Sequence, residues 1–173
     1  KLVFSRPMNL LAPLLLCTGL GLAEPVLEPD KPDRSAPDRA FDILRLHLDL
    51  DLEIKTRSIG GTATYGLKRM SDADFSLDQV ALDIGNVTVD GASATWRTPG
   101  NMLVIEVPDS VAIGAETEVA IEYQATPRSG LHFRSAGGGS PDLYDEVWTQ
   151  GQKRDNRYWF PTWDHPNDRF DYT

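Results

Sequence analysis

An all-β fold, a saddle-like sandwich of antiparallel sheets, is what the sequence predicts for residues 41–173. Three observations predict it. The segment FDILRLHLDLDLEI at residues 41–54 places Leu44, Leu46, Leu48, Leu50, Leu52 and Ile54 at even positions, with Arg45, His47, Asp49, Asp51 and Glu53 between them. That is the period of a strand with one wet face and one buried face. Further short apolar runs follow, parted by clusters of Gly, Pro, Asn and Asp that suit chain reversals. No stretch shows the 3.6-residue period of a long helix.

Leucine favours helices only weakly, so the strict alternation of residues 41–54 outweighs it. KTRS at 55–58 makes a turn, and IGGTATYGLKR at 59–69 reads as the partner strand, with Gly60-Gly61 marking a bulge or a close backbone approach. SDAD at 71–74 turns the chain again. FSLDQVALDIG at 75–85 reads as one strand, broken at Gly85-Asn86. Val87-Thr88-Val89 is a short strand ended by Asp90-Gly91, a strong hairpin signal. Ala94-Thr95-Trp96 is placed to pair back. Thr98-Pro99-Gly100-Asn101 turns into MLVIEV at 102–107, a buried strand ended by Pro108. EVAIEYQA at 118–125 alternates once more and stops at Thr126-Pro127. Residues 135–141, SAGGGSP, read as a flexible loop.

The N-terminus differs in character. Lys1 and Arg6 precede an apolar run from Met8, and Gly21-Leu22-Ala23 ends it in small residues. This is the layout of a secretory signal peptide over residues 1–23, too short and too rich in Gly and Pro for a stable membrane span. The expectation is an exported chain, periplasmic or secreted. Cys17, the single cysteine, lies inside this segment. Leu15-Leu16 before it are too bulky for a lipobox, which argues against a lipoprotein. Cleavage at Ala23 would leave a chain without disulfides, held by packing. Residues 24–40, with four prolines and alternating charges, read as an extended linker. A formal net charge of −9 argues against a nucleic-acid partner, which would need a basic stripe. The chain, 40% hydrophobic, is long enough for one domain with a real core.

Chemistry-bearing residues are few. His47 lies on the polar face of the first strand. His132 sits in an apolar triplet, which reads as packing. His165 sits in Asp164-His165-Pro166-Asn167-Asp168, which reads as a turn more readily than as a catalytic pair. The spacing of the three histidines supplies no zinc motif, and neither a nucleophile elbow nor a phosphate loop occurs. Residues 147–170 are the richest stretch, with three of the four tryptophans, Trp148, Trp159 and Trp163. Composition leaves two readings open there: a packed core, or a binding edge on which Gln150, Gln152 and Arg157 sit beside aromatic walls.

The order of several short segments is more specific than any one of them. Thr149-Gln150-Gly151-Gln152, then Arg157-Tyr158-Trp159-Phe160-Pro161, then Asp164-His165-Pro166-Asn167-Asp168 resembles the N-terminal domain of zinc metallo-aminopeptidases of the aminopeptidase N and leukotriene-hydrolase type. Residues 41–54 with Gly60-Gly61-Thr62-Ala63-Thr64 are similar to that family's opening hairpin. Leu82-Asp83-Ile84-Gly85 with Val87-Thr88-Val89, and Thr126-Pro127-Arg128-Ser129-Gly130-Leu131-His132-Phe133, are similar to later parts of it. The resemblance spans residues 41–173. It implies a β domain incomplete at its C-terminal end, and a full-length zinc peptidase that removes N-terminal residues from peptides with a zinc-bound water and a glutamate base. The Gly-x-Met-Glu-Asn and His-Glu-x-x-His motifs of the catalytic domain do not occur in these 173 residues. The expectation is therefore a fragment, inactive alone, whose partners are the peptide substrate and its own missing catalytic domain. By resemblance Gln152 receives the substrate's free α-ammonium, where many relatives have Glu, and Gln150 lies beside the first side-chain pocket. A Gln carbonyl should hold an ammonium less tightly than a carboxylate does. Two alternatives stand beside this: a stand-alone β-sandwich module binding peptide or sugar, and a non-catalytic scaffold relative.

Overall fold

Two strands that look continuous in the sequence change phase midway, and these shifts decide which side chains reach the core. A computed structural model describes residues 37–135 and 144–173, all within one compact unit, Ser35–Thr173. The predicted signal segment, Cys17, most of the predicted linker and residues 136–143 of the Gly-rich loop region lie outside the described residues. The strands are β1 (Phe41–Glu53), β2 (Ser58–Arg69), β3 (Phe75–Asp78), β4 (Asp83–Val89), β5 (Ala92–Ser93), β6 (Trp96–Arg97), β7 (Met102–Ile105), β8 (Glu116–Ala125), β9 (Leu131–Arg134), β10 (Glu146–Thr149) and β11 (Asp171–Tyr172). A single 3-10 turn, Asn156–Tyr158, is the one helical piece among the described residues.

The main sheet has the order β11-β1-β2-β8-β4-β5, and a second sheet the order β3-β7-β6. Strands β9 and β10 form a third, two-stranded sheet. All pairings are antiparallel except β1 with β11, which is parallel. The all-β expectation is met. The core lies between the first two sheets, where Tyr65, Leu67, Leu77, Leu103, Ile105, Val119 and Ile121 are wholly buried. Each such aliphatic side chain contributes about 1.5–3 kcal/mol by leaving water. Phe75 bridges the sheets, edge-on to Phe41 at 5.4 Å and to Tyr65 at 5.7 Å.

The simple alternation of residues 41–54 is corrected at Leu44. The register with β2 shifts between Ile43 and Arg45, so Phe41 and Ile43 are buried before the bulge and Leu46 after it. The extra residue flips the parity of the strand. Leu44 is left half-buried, and Leu52 reaches solvent near the far end. Gly61 answers the close-approach reading of the glycine pair. A Cβ there would stand 2.1 Å from the Asp49 carbonyl oxygen of β1.

The run 75–85 is corrected more sharply. It forms two strands, not one: β3 enters the small sheet and β4 the large one, with residues 79–82 crossing between them. Gln79 makes the crossing, its side-chain oxygen accepting from Leu82 N at 3.2 Å and its backbone N–H donating to Asn101 O at 2.9 Å. Gly85-Asn86 does not break the strand. It is a second bulge, inside β4, between Ile84 and Val87. Parity flips there from Ile84 to Val87 and Val89, all three buried. Asp90 and Gly91, both at positive φ, make the tight turn that pairs Ala92 with Val89. Trp96 pairs not with that hairpin but with Ile105 of β7, and β7 ends at Ile105, short of Pro108.

Candidate functional site

The 149–165 segment is built outward from Gly130. At φ +80° this residue takes a left-handed conformation, and a Cβ there would stand 2.0 Å from Asp155 O and 2.7 Å from Trp159 Cδ1. Only glycine fits. Its carbonyl accepts the Gln150 N–H at 2.8 Å, which ends the β9–β10 ladder and turns the chain outward. Gly151 lies against the Asn156 side chain, 2.3 Å from where a Cβ would sit to Oδ1. Gln150 and Gln152 are exposed at this tip, with Gln150 Nε2 donating to Gln152 Oε1 at 3.3 Å. Lys153 follows at φ +70°, and the 3-10 turn takes the chain back to the body.

What lies behind the tip is partly core. Trp159 and Phe160 are buried, with ring centroids 4.4 Å apart, and the Tyr65 hydroxyl donates to the Pro161 carbonyl. Burial raises the Tyr65 pKa well above the usual phenol value, with Tyr123 adding to it, so this hydroxyl stays a donor. Trp148 instead points to solvent, stacked on His132 at 5.4 Å. His132 is thus a strand residue on the open face of β9, not a packed loop histidine. The packed-core reading of the aromatic stretch applies to Trp159 and Phe160, while Trp148 stands outside the core.

The rest is a charged network around Asp78, the last residue of β3. Asp78 and Thr162 exchange backbone hydrogen bonds at 2.7 and 3.0 Å. The Asp78 carboxylate, nearly wholly buried, takes Arg154 Nη2 at 3.2 Å and Arg157 Nη1 at 3.0 Å on Oδ1, and the Asp164 N–H at 3.2 Å on Oδ2. Arg157 Nε reaches Asp164 Oδ2 at 3.2 Å. His165 Nε2 stands 3.5 Å from Asp78 Oδ2 and 2.8 Å from Arg154 Nη2. A guanidinium can only donate, so Nε2 is the acceptor and the ring is neutral with its proton on Nδ1. Burial first, and then the Arg154 charge, lower the His165 pKa below the ordinary imidazole value. His165 is more than a turn residue. Asp168, by contrast, ties the segment to the start of the domain through Arg39 and the Ile43 N–H.

A groove of about 690 Å³ runs beside the network, lined among others by Gly151, Lys153, Trp163, His165, Phe170 and Tyr172. The described residues do not fit a zinc ion. They contain no cluster of three or more His, Cys, Asp or Glu side chains able to hold one. The nearest set, Asp78, Asp164 and His165, already has its carboxylates turned to two guanidinium groups. Among the described residues no helix is long and apolar enough to cross a membrane.

Asp78 and Arg154 escape sequence reasoning. The face of β3 opposite Leu77 looks free to meet solvent, and it is covered only because residues 157–164 fold back over it. An Asp-Gln pair inside an apolar run was the sole local sign.

Comparison with known proteins points one way. A sequence model described as the Peptidase M1 N-terminal domain matches residues 40–173. The chain is 27% identical over 136 residues to leucine aminopeptidase 2-2 of Meyerozyma guilliermondii, covering 74% of this chain and 21% of that protein. It is 27% identical over 150 residues to leukotriene A-4 hydrolase of Xenopus laevis, covering 82% and 25%. It therefore spans only a fifth to a quarter of the length of these curated relatives. Among solved structures, leukotriene A4 hydrolase from Saccharomyces cerevisiae aligns with a TM-score of 0.64 at 21% identity, over 84% of this chain and 25% of that one. The M1 zinc metallopeptidase from Deinococcus radiodurans aligns at 0.63 and 18% identity, over 78% and 31%. At such identities the structural likeness speaks for the fold.

Proposed function

This chain belongs to the Peptidase M1 N-terminal domain family, and from that premise we propose that it is the substrate-edge domain of an exported zinc aminopeptidase. The zinc site and the general base belong to a catalytic domain outside these residues. Gln152 receives the α-ammonium of the peptide through its side-chain carbonyl, and Gln150 flanks the first side-chain pocket. The observation that carries this reading is the glutamine pair: both amides are exposed and joined to each other, on a tip whose base is fixed by Gly130 and by the Asp78 network. Bound peptide would give Gln152 Oε1 a charged donor in addition to Gln150 Nε2, which an amide oxygen with two lone pairs can accept.

The reading frame beyond Thr173 tests the assignment. It is expected to continue into Gly-x-Met-Glu-Asn and His-Glu-x-x-His. Zinc-dependent cleavage of an aminoacyl anilide by the 173-residue chain alone, abolished by a chelator, would overturn it. A second reading, a stand-alone peptide- or sugar-binding module, draws support from the stacked and half-exposed Trp148–His132 pair. A stop codon directly after Thr173 would favour that module.

A further inference from the structure

Resting on the Gln152 reading, we propose that Asp78 is the positioning residue of the 150–152 edge, acting on it through Arg154. Gln152 is exposed and lies on a tip with a left-handed residue at Lys153. Two residues on, Arg154 spans from that exposed loop to the buried carboxylate of Asp78, and the same Nη2 meets His165 Nε2. Arg157 doubles the anchor. It holds Asp78 and Asp164 with its guanidinium and takes the Arg154 carbonyl with Nε at 3.0 Å. The strand that supplies Asp78 belongs to the small sheet, so one buried carboxylate fastens the loop to a part of the fold remote in sequence.

The charge count favours positioning over simple packing. Two guanidinium groups face two carboxylates, Asp78 and Asp164, and a neutral histidine. The network is balanced and directional. Packing alone would be served as well by apolar residues of the same size, because burying charges costs desolvation that their attraction only partly offsets. What a charged network adds is a fixed direction for the donors it binds, and here those donors, Arg154, Arg157 and the Asp164 N–H, all lie on the C-terminal side of the bend that presents Gln152.

The test uses the full chain and three variants, Arg154→Ala, Asp78→Asn and Arg154→Lys. Arg154→Ala removes a side chain that is half exposed, so the fold is retained. Asp78→Asn keeps the size of the anchor and removes its charge. Backbone hydrogen exchange at residues 150–154 is expected to rise about tenfold in Arg154→Ala, the loss of one charge-assisted hydrogen bond. Amides of β2 and β8 keep their wild-type protection. Arg154→Lys, a point charge without the fork, restores part of the protection. Unchanged exchange at 150–154 in Arg154→Ala overturns the proposal. In the protein that joins this domain to a catalytic domain, Arg154→Ala is expected to raise KM for peptides with a free N-terminus about tenfold with little change in kcat. A lowered kcat with unchanged KM overturns positioning. Absence of any hydrolysis by that wild-type protein overturns the peptidase reading instead, and the exchange result then decides on Asp78 by itself.

Discussion

The sheet core and the 150–165 segment are held by opposite means. The facing sides of β1, β2, β4 and β8 meet β3 and β7 mainly through aliphatic and aromatic side chains, and alternation with two bulges is enough to aim them. The 150–165 segment has almost no regular structure. Beyond the buried Trp159, Phe160 and Pro161, it is held by one glycine that admits a close backbone approach, by the Asp78–Thr162 bridge, and by a five-residue charged network. Apolar packing tolerates small shifts of direction, whereas a paired charge does not. The difference teaches where precision is placed: the core supplies stability, and the polar anchor supplies the orientation of an exposed tip.

Breaking each side separately sharpens the contrast. Ile121→Ala empties a wholly buried site between the sheets and is expected to cost about 2–5 kcal/mol, seen as a loss of protection along the whole of β2 and β8 and a lower urea midpoint. Arg157→Ala leaves the buried Asp164 carboxylate without its guanidinium and Asp78 with Arg154 alone. On the order of 3 kcal/mol is expected from stranding such charges, with the segment around residue 157 losing protection ahead of β8. If both variants unfold the chain in the same order, the two regions are one cooperative unit and the contrast fails.

A pH change probes the network through His165. The folded-state pKa of His165 is lowered, chiefly by burial, so the unfolded chain binds its proton more readily than the folded one. Its contribution to stability is therefore complete above the ordinary imidazole value of about 6.5 and is lost as pH falls through that value toward the lowered one. Urea midpoints at pH 7 and pH 5 should differ more in the wild type than in His165→Gln, whose side-chain oxygen can still accept from Arg154. The smallest effect concerns the core. The Tyr123 hydroxyl is buried without a hydrogen-bond partner among the described residues, so Tyr123→Phe should change stability by less than about 0.5 kcal/mol or raise it. A loss well beyond that would show that the hydroxyl has a partner.

Much of the fold was legible because a period of two survives in the sequence. The pairs β1–β2 and β4–β5 follow from alternation and from Asp90-Gly91. At Leu44 and at Gly85-Asn86 the apolar parity switches, from Phe41 and Ile43 to Leu46 and from Ile84 to Val87, but in the sequence such a switch reads equally as unbroken alternation or as a strand end until a partner strand is laid beside it. The split of residues 75–85 failed for a related reason. A continuous apolar run gives no sign of passing from one sheet to another. Of the candidate site, Gln150 and Gln152 were placed through family resemblance. Asp78 was out of reach, since its burial depends on a segment that returns more than seventy residues later (Arg154 and Asp164 among its partners).

Steady-state kinetics of the protein carrying this domain with a catalytic domain would compare wild type and Gln152→Ala on a peptide with a free N-terminus and on its N-acetylated form. The expected result is a KM about tenfold higher for the free amine, from one lost charge-assisted hydrogen bond, and no change for the acetylated peptide. Equal KM values for wild type and variant on the free amine would contradict a role for Gln152 in receiving the peptide's N-terminus.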